Sequence, residues 1–198
     1  MNKTTSTFSH FIIHKPKGFL SQFVYEGKRK GSKRLLGELF PFPNGTMSIG
    51  RLDQNTEGLL ILTTDGMESE NVRSGRIEKE YFAQVDGIID QNAIKHLEKG
   101  LEIGVLGTRY HTKPCKAKII TEQEVTNYPI ELIKIRDEKH GPTSWVSITV
   151  NEGKFRQVRK MTAGVGFPTL RLIRVRIGSL HLNLKNGDVQ KIDQIIVK

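Results

Sequence analysis

Apolar and polar positions change period several times along the chain, and each period predicts an element. "FIIHKPKGFL", from Phe11, is an apolar run broken at Pro16 and Gly18, the pattern of a short strand entering a turn. "EGLLILTTDG" is an unbroken apolar run closed by an Asp-Gly turn signal, which predicts a buried strand. "KEYFAQVDGI" alternates, with Tyr81, Ala83 and Val85 on one face and Phe82, Gln84 and Asp86 on the other. "DQNAIKHLEKG" then shifts to helical spacing at Ile94, Leu97 and Leu101, with Asp90 placed as N-cap and Gly100 as C-terminal cap.

Three later segments, "KAKIITEQE", "IELIKI" and "SWVSITV", read as strands, the last with Val146, Ile148 and Val150 on one side. Residues 101–114 read as glycine-rich and irregular, and residues 1–10 as a polar, flexible leader without period. Many strands, few helices and no strict βαβ alternation predict an α+β fold with a mixed, mostly antiparallel central sheet flanked by helices and loops. No repeat or Pro/Ser-rich linker divides the chain, so residues 11–198 are expected to form one domain.

Charge adds a partner to this outline. Among 198 residues, 31 are Lys or Arg against 21 acids, a formal net charge of +10, which favours a polyanion because each neutralised phosphate releases a counterion. From Asn151 to Arg176 the bases Lys154, Arg156, Arg159, Lys160, Arg171, Arg174 and Arg176 face the single acid Glu152. They are interleaved with glycines and apolar residues rather than set along one amphipathic helix, which favours nucleic acid over a membrane surface. A solvated basic face without a partner is the alternative on composition alone. "GKRKGSKR" is a further basic loop that could reach RNA or simply be solvated. Cys115 is the only cysteine and no Cys/His cluster has zinc spacing, so a reducing cytoplasm and no metal are expected. The most apolar stretch, "GLLIL", is too short to span a bilayer, and no membrane association is expected.

The chemistry concentrates in "GRLDQNTEGLLILTTDG", where Asp53 stands beside Arg51 at the mouth of an apolar strand. Asp53, Asn55, Glu57 and Gly58 imitate a calcium loop, but Thr64 occupies the place of its bidentate Glu. Asp53 and Glu57 could form a glycosidase carboxylate pair, and an ordinary turn with a local ion pair is the plain alternative. Neither GxxxxGK[ST] nor GxSxG is present. If "KFRQVRKMT" is helical, at about 100° per residue, Phe155, Val158 and Thr162 share a face and Arg159 lies about 40° from Phe155, whereas Arg156 and Lys160 point about 100° and 140° away. Arg159 is then the arginine turned toward the core, where it needs a carboxylate; Asp53 is a candidate.

These motifs, in their order, resemble the small-subunit-type branch of the pseudouridine synthases that modify ribosomal RNA. "KPKG" is similar to the family's first motif, "GRLDQNTEGLLILTTDG" to its catalytic motif and "KEY" to its tyrosine motif. "EGKFRQVRKM" with "LRLIRVRIG" is similar to the third motif and the segment after it. The resemblance runs from about Phe11 to about Gly178 and implies the pseudouridine synthase fold, here without a separate N-terminal S4 domain. It implies that Asp53, as nucleophile or base, starts cleavage of the uridine glycosidic bond, after which the uracil rotates and rejoins through carbon. By the same resemblance Arg159 pairs with Asp53, Tyr81 stacks on the uracil, Arg51 holds the uridine out of its stack and Leu172 walls the base pocket. Lys154 and Arg156 are expected to bind the RNA backbone. No cofactor is implied. "QF" after the first motif and "PTSWVSIT" before the third, with no separate N-terminal domain, resemble the members of the family that act on the large subunit, which implies 23S ribosomal RNA or a ribosomal precursor particle as partner, with a monomer as the default. The alternative from another class is a non-catalytic RNA-binding protein of ribosome assembly with the same fold.

Overall fold

The structure, a computed structural model, describes residues 8–25, 33–74 and 77–197. Its first half contains β1 (His10–Lys15), β2 (Phe19–Leu20), β3 (Arg34–Leu35), β4 (Met47–Ile49), β5 (Glu57–Thr63), α1 (Gly66–Ser74), β6 (Lys79–Asp86) and α2 (Gln91–Lys99). The second half contains β7 (Glu102–Val105), β8 (Thr108–His111), β9 (Lys116–Ile120), α3 (Glu122–Thr126), β10 (Thr143–Val150), α4 (Gln157–Gly164), β11 (Thr169–Ile177), β12 (Leu180–His181) and β13 (Val189–Ile192). The main sheet runs β13-β1-β5-β11-β6-β10-β9, with β4 joined to β5 and β12 to β11. Within it β5 and β11 are parallel and the other pairs antiparallel, which bears out the mixed, mostly antiparallel α+β expectation.

The apolar run of β5 belongs to a strand covered on both sides. Leu59 and Ile61 join one cluster with Ile12, Phe82, Trp145 and Ile173, while Leu60 and Leu62 join another with Phe11, Ile13, Leu36 and Leu52. Beyond β11 a third cluster gathers Ala83, Val85, Ile94, Leu97, Val146, Ile148, Val158, Met161 and Leu172, burying α2 and α4 against the sheet. Tyr81 packs against both this cluster and the one at Leu60, so it marks the seam between them.

At that seam the sheet forks. One edge of β5 is paired with β1 along Gly58 to Thr63. The other pairs with β11 only at Glu57 and Gly58, then with β4 from Ile61 to Thr63. The carbonyl of Leu59, between the two partners, accepts from Arg174 Nε at 2.8 Å, so a side chain completes what the ladder leaves unpaired. Gly58 permits the approach. Its φ is +110°, and a Cβ there would lie 2.5 Å from the nitrogen of Arg174 and closer still to its carbonyl oxygen.

The helix at residues 91–99 follows its sequence signals: Asp90 Oδ1 accepts from the Ala93 amide at 2.8 Å, and Gly100 takes φ +84° at the C-terminal end. Three expectations are corrected. "KAKIITEQE" is a strand only as far as Ile120, because Thr121 caps α3, which takes its second half. Residues 101–114 are not irregular but contain the β7–β8 hairpin, turned by Leu106 and Gly107, both at positive φ as in a type I′ hairpin turn. "IELIKI" forms no strand: Leu132 and Ile133 are exposed, and arginine side chains take the place of a ladder. Arg171 donates to the Glu131 carbonyl at 2.7 Å and Arg136 to Asp86 at 2.5 Å. The basic run at residues 27–34 lies mostly outside the described residues, as do residues 1–7 of the expected leader; His10 already belongs to β1. Among the described residues no helix is long and apolar enough to cross a membrane.

The fork makes Gly58 intolerant of a side chain. Gly58→Ala should lower unfolding stability by about 3 kcal/mol or more, from strain at positive φ together with the clash on β11. Urea denaturation measures it, and an unchanged midpoint would mean that β5 and β11 can part without cost.

Candidate active site

Where β4 and β11 part, a cleft of about 1220 Å³ opens, lined by residues of β4, β6 and β11 and of the loops at 50–53 and 151–156. The loop from β4 back to the start of β5 carries Asp53 across it. Gly50 takes φ +72° on leaving β4, and the Thr56 amide donates to the Asp53 carbonyl at 3.0 Å, which closes a tight turn. Both neighbours of Asp53 are tied to the segment before β3. Ser21 Oγ donates to the Leu52 carbonyl at 2.8 Å and accepts from the Leu52 amide at 2.9 Å. The Gly18 amide donates to the Gln54 carbonyl at 2.8 Å. Braced in this way, the Asp53 side chain is only 26% exposed.

Buried cations crowd beneath it. Lys15 is fully buried, its ammonium donating to the carbonyls of Pro16 at 2.9 Å and Phe19 at 2.7 Å. Burial brings its pKa down to about 8, against the opposing pull of Glu57 and Asp53 and with a smaller push from Arg174. Glu57 is itself committed to Arg171 through two bonds, Nε to Oε1 at 3.0 Å and Nη2 to Oε2 at 2.8 Å, with both residues buried. That pairing removes Glu57 from any carboxylate pair with Asp53. Arg174 is 3% exposed, and its Nη2 has no hydrogen-bond partner among the described residues. Lys79, on the same cleft, is pulled below the usual lysine range by burial and by the Arg174 charge.

The structure gathers Arg51, Asp53, Tyr81, Lys154, Arg156 and Leu172 around this one cleft. Tyr81 stands opposite Arg174 across β6 and β11, and Leu172 is buried on β11. Arg159 is placed differently from expectation. It is half-buried, as the helical wheel required, but it donates to the Asn55 carbonyl at 2.7 Å and the Thr169 carbonyl at 3.3 Å rather than to Asp53. Burial, then the charge of Arg156, lowers its pKa, while Asp53 and Glu57 act in the opposite sense. The cation that meets the carboxylate is Arg156, with Nη1 3.7 Å from Asp53 Oδ2.

The reason lies in where α4 starts. The helix begins at Gln157, and Arg156 precedes it with φ +53°, in the left-handed region. The periodicity therefore does not extend back to Phe155, which is exposed rather than on the core face, although Val158 and Thr162 are buried as expected. Arg156 is swung toward the cleft by the same backbone turn. Lys15, Lys79 and Arg174 were not singled out as site residues from sequence. Their signal is a lysine at the end of an apolar strand and basic residues recurring within "LRLIRVRIG".

Comparison with known proteins finds relatives of one kind. Residues 9–164 match the family described as RNA pseudouridylate synthase. The chain is 36% identical over 185 residues to ribosomal large subunit pseudouridine synthase E of Vibrio parahaemolyticus, covering 90% of this chain and 69% of that protein. It is 38% identical over 173 residues to the protein of the same name from Xanthomonas campestris, covering 86% and 88%. A crystal structure of a pseudouridylate synthase superposes with a TM-score of 0.71 at 25% identity, over 93% of this chain and 70% of that one.

Lys15 gives the site a measurable pH dependence. Its folded pKa, about 8, lies below its ordinary value of 10.5, so the folded state binds fewer protons between these limits. Its contribution to stability should rise from pH 8 to pH 10.5, by no more than about 3.4 kcal/mol, and be absent in Lys15→Met. Parallel pH profiles of unfolding free energy for wild type and variant would contradict the buried charge.

Proposed function

This chain belongs to the RNA pseudouridylate synthase family, and from that premise we propose that it isomerises a uridine of 23S ribosomal RNA with Asp53 as the group that starts the reaction. The observation that supports this reading is the Asp53 carboxylate, braced on both sides, in a cleft lined by Arg51, Arg73, Lys79, Lys154, Arg156 and Arg174 against one other acid, Glu152. The reaction is internally balanced. The bond from C1′ to N1 of the uracil breaks, the ring turns, a bond forms from C1′ to C5, the C5 proton passes to solvent, and N1 takes up a proton in its place. Neither redox equivalents nor a phosphate donor are consumed.

In this reading Asp53 acts as nucleophile or base, and Tyr81, at the seam of two apolar clusters, lies against the uracil ring with Leu172 as the opposing wall. Arg51, exposed at the entrance, holds the nucleotide out of its stack, an extrusion that costs a few kcal/mol. Arg156 faces the Asp53 charge. Arg159 positions the loop instead: it binds the Asn55 carbonyl, two residues beyond Asp53, and links it to the start of β11. Lys154 and Arg156 meet the RNA backbone. The same reading has residues 11–198 working as one catalytic domain, a monomer in the cytoplasm, on ribosomal RNA or a precursor particle.

Tritium release from 23S transcripts labelled at uridine C5 tests the assignment. Wild type should release tritium, while Asp53→Asn, which keeps the shape of the side chain and removes its charge, should bind RNA and release none. Turnover by that variant would remove Asp53 from the mechanism. RNA binding without release by the wild type, on transcripts and particles alike, would leave a binding protein. Truncating Lys154 and Arg156 together should weaken binding and flatten the plot of log K against log salt by about 1.4 for a single-stranded contact. An unaltered slope would place the phosphates elsewhere.

A further inference from the structure

Phe155 is 55% exposed at the edge of the catalytic cleft, in the middle of a loop whose neighbours are charged. The left-handed Arg156 that follows it holds the ring outside α4 and away from the core that takes Val158 and Met161. Its surroundings are cationic. Lys160 Nζ lies 5.0 Å from the ring centroid, and Lys154 and Arg156 flank it in sequence. Glu152, the nearest acid in sequence, is occupied: it accepts from Tyr110 Oη at 2.6 Å, from the Lys113 amide at 3.0 Å and from Gln157 Nε2 at 2.5 Å. Phe40, another part-exposed ring, packs instead against Phe11 and Phe42.

We propose that Phe155 is a stacking platform for an unpaired RNA base adjacent to the uridine in the cleft. The proposal rests on reading the chain as an enzyme acting on RNA. An exposed aromatic face among lysines and arginines is what binds single-stranded nucleic acid without reading its sequence: the ring takes the base and the cations take the flanking phosphates. The Lys160 ammonium over one face leaves the other for the base, and a cation and a base on opposite faces are compatible. A uridine extruded into the cleft parts from its stacking neighbour, and Phe155 offers that neighbour a replacement surface at the entrance.

The test uses oligoriboadenylate and an abasic ribose-phosphate oligomer of the same length. In Phe155→Trp the introduced indole should be quenched by oligoriboadenylate and not by the abasic oligomer, against a constant background from Trp145, which is 3% exposed in the core. Phe155→Leu should bind oligoriboadenylate roughly tenfold more weakly with the same salt slope, because the ring contacts no phosphate. Equal quenching by both oligomers, or wild-type affinity in Phe155→Leu, would overturn the platform. Neither readout depends on turnover, so tritium release by the wild type decides the enzymatic reading separately.

Discussion

The rest of the structure depends on the contact between Gly58 and the backbone of Arg174. Two parallel strands come together there without a side chain between them, and they can do so for only two residue pairs before β5 turns to β4. Continued pairing would have closed the sheet. Because it stops, a gap remains in a layer that is otherwise hydrogen-bonded, and the loop carrying Asp53 crosses that gap. Arg174 belongs to both sides of the arrangement: its backbone makes the last close contact, and its guanidinium satisfies the first carbonyl beyond it. An apolar residue there would leave the Leu59 carbonyl buried and unpaired, which is costly in a sheet interior.

Charge is distributed around the gap by the same economy of partners. The buried Glu57 and Arg171 satisfy each other, and Arg171 also fixes the chain at Glu131. Lys15 is held by carbonyl oxygens rather than by a carboxylate. Of the two acids lining the cleft, Glu152 is taken up by Tyr110, the Lys113 amide and Gln157, whereas Asp53 meets only Arg156 among the described residues within ion-pair distance, at its long end. A loosely held carboxylate thus lies near a buried lysine that is held by other groups, which is what the proposed reaction asks of Asp53.

Much of this was legible because the signals are local. The strand at Glu57–Thr63, the alternating strand at Lys79–Asp86 and the helix between Asp90 and Gly100 follow from period and capping residues within a few positions. The cleft residues were named in the sequence by motif, and six of the seven line it. What could not be read depended on distant partners or on one backbone angle. Glu57 and Arg171 are 114 positions apart, so the role of Glu57 was open until they met. A left-handed residue at Arg156 leaves no trace in apolar spacing, yet it decides that Phe155 faces solvent and that Arg156, not Arg159, approaches Asp53. Leu106, bulky and at positive φ, similarly hid the hairpin turn that Gly107 alone would have signalled.

Tyr110, on β8, meets the loop before α4 through Glu152 and lies 4.5 Å from the Lys154 ammonium, whereas the Asp53 loop is fastened to residues 18–21. The carboxylate and the basic loop are thus mounted on different parts of the chain. A longer or re-angled hairpin would re-aim the basic loop while the braces on Asp53 stayed as they are. The two parts meet through Arg156 and Arg159, whose contacts with Asp53 and the Asn55 carbonyl would shift with that loop, so a change in the hairpin alters the surroundings of the carboxylate without touching its braces.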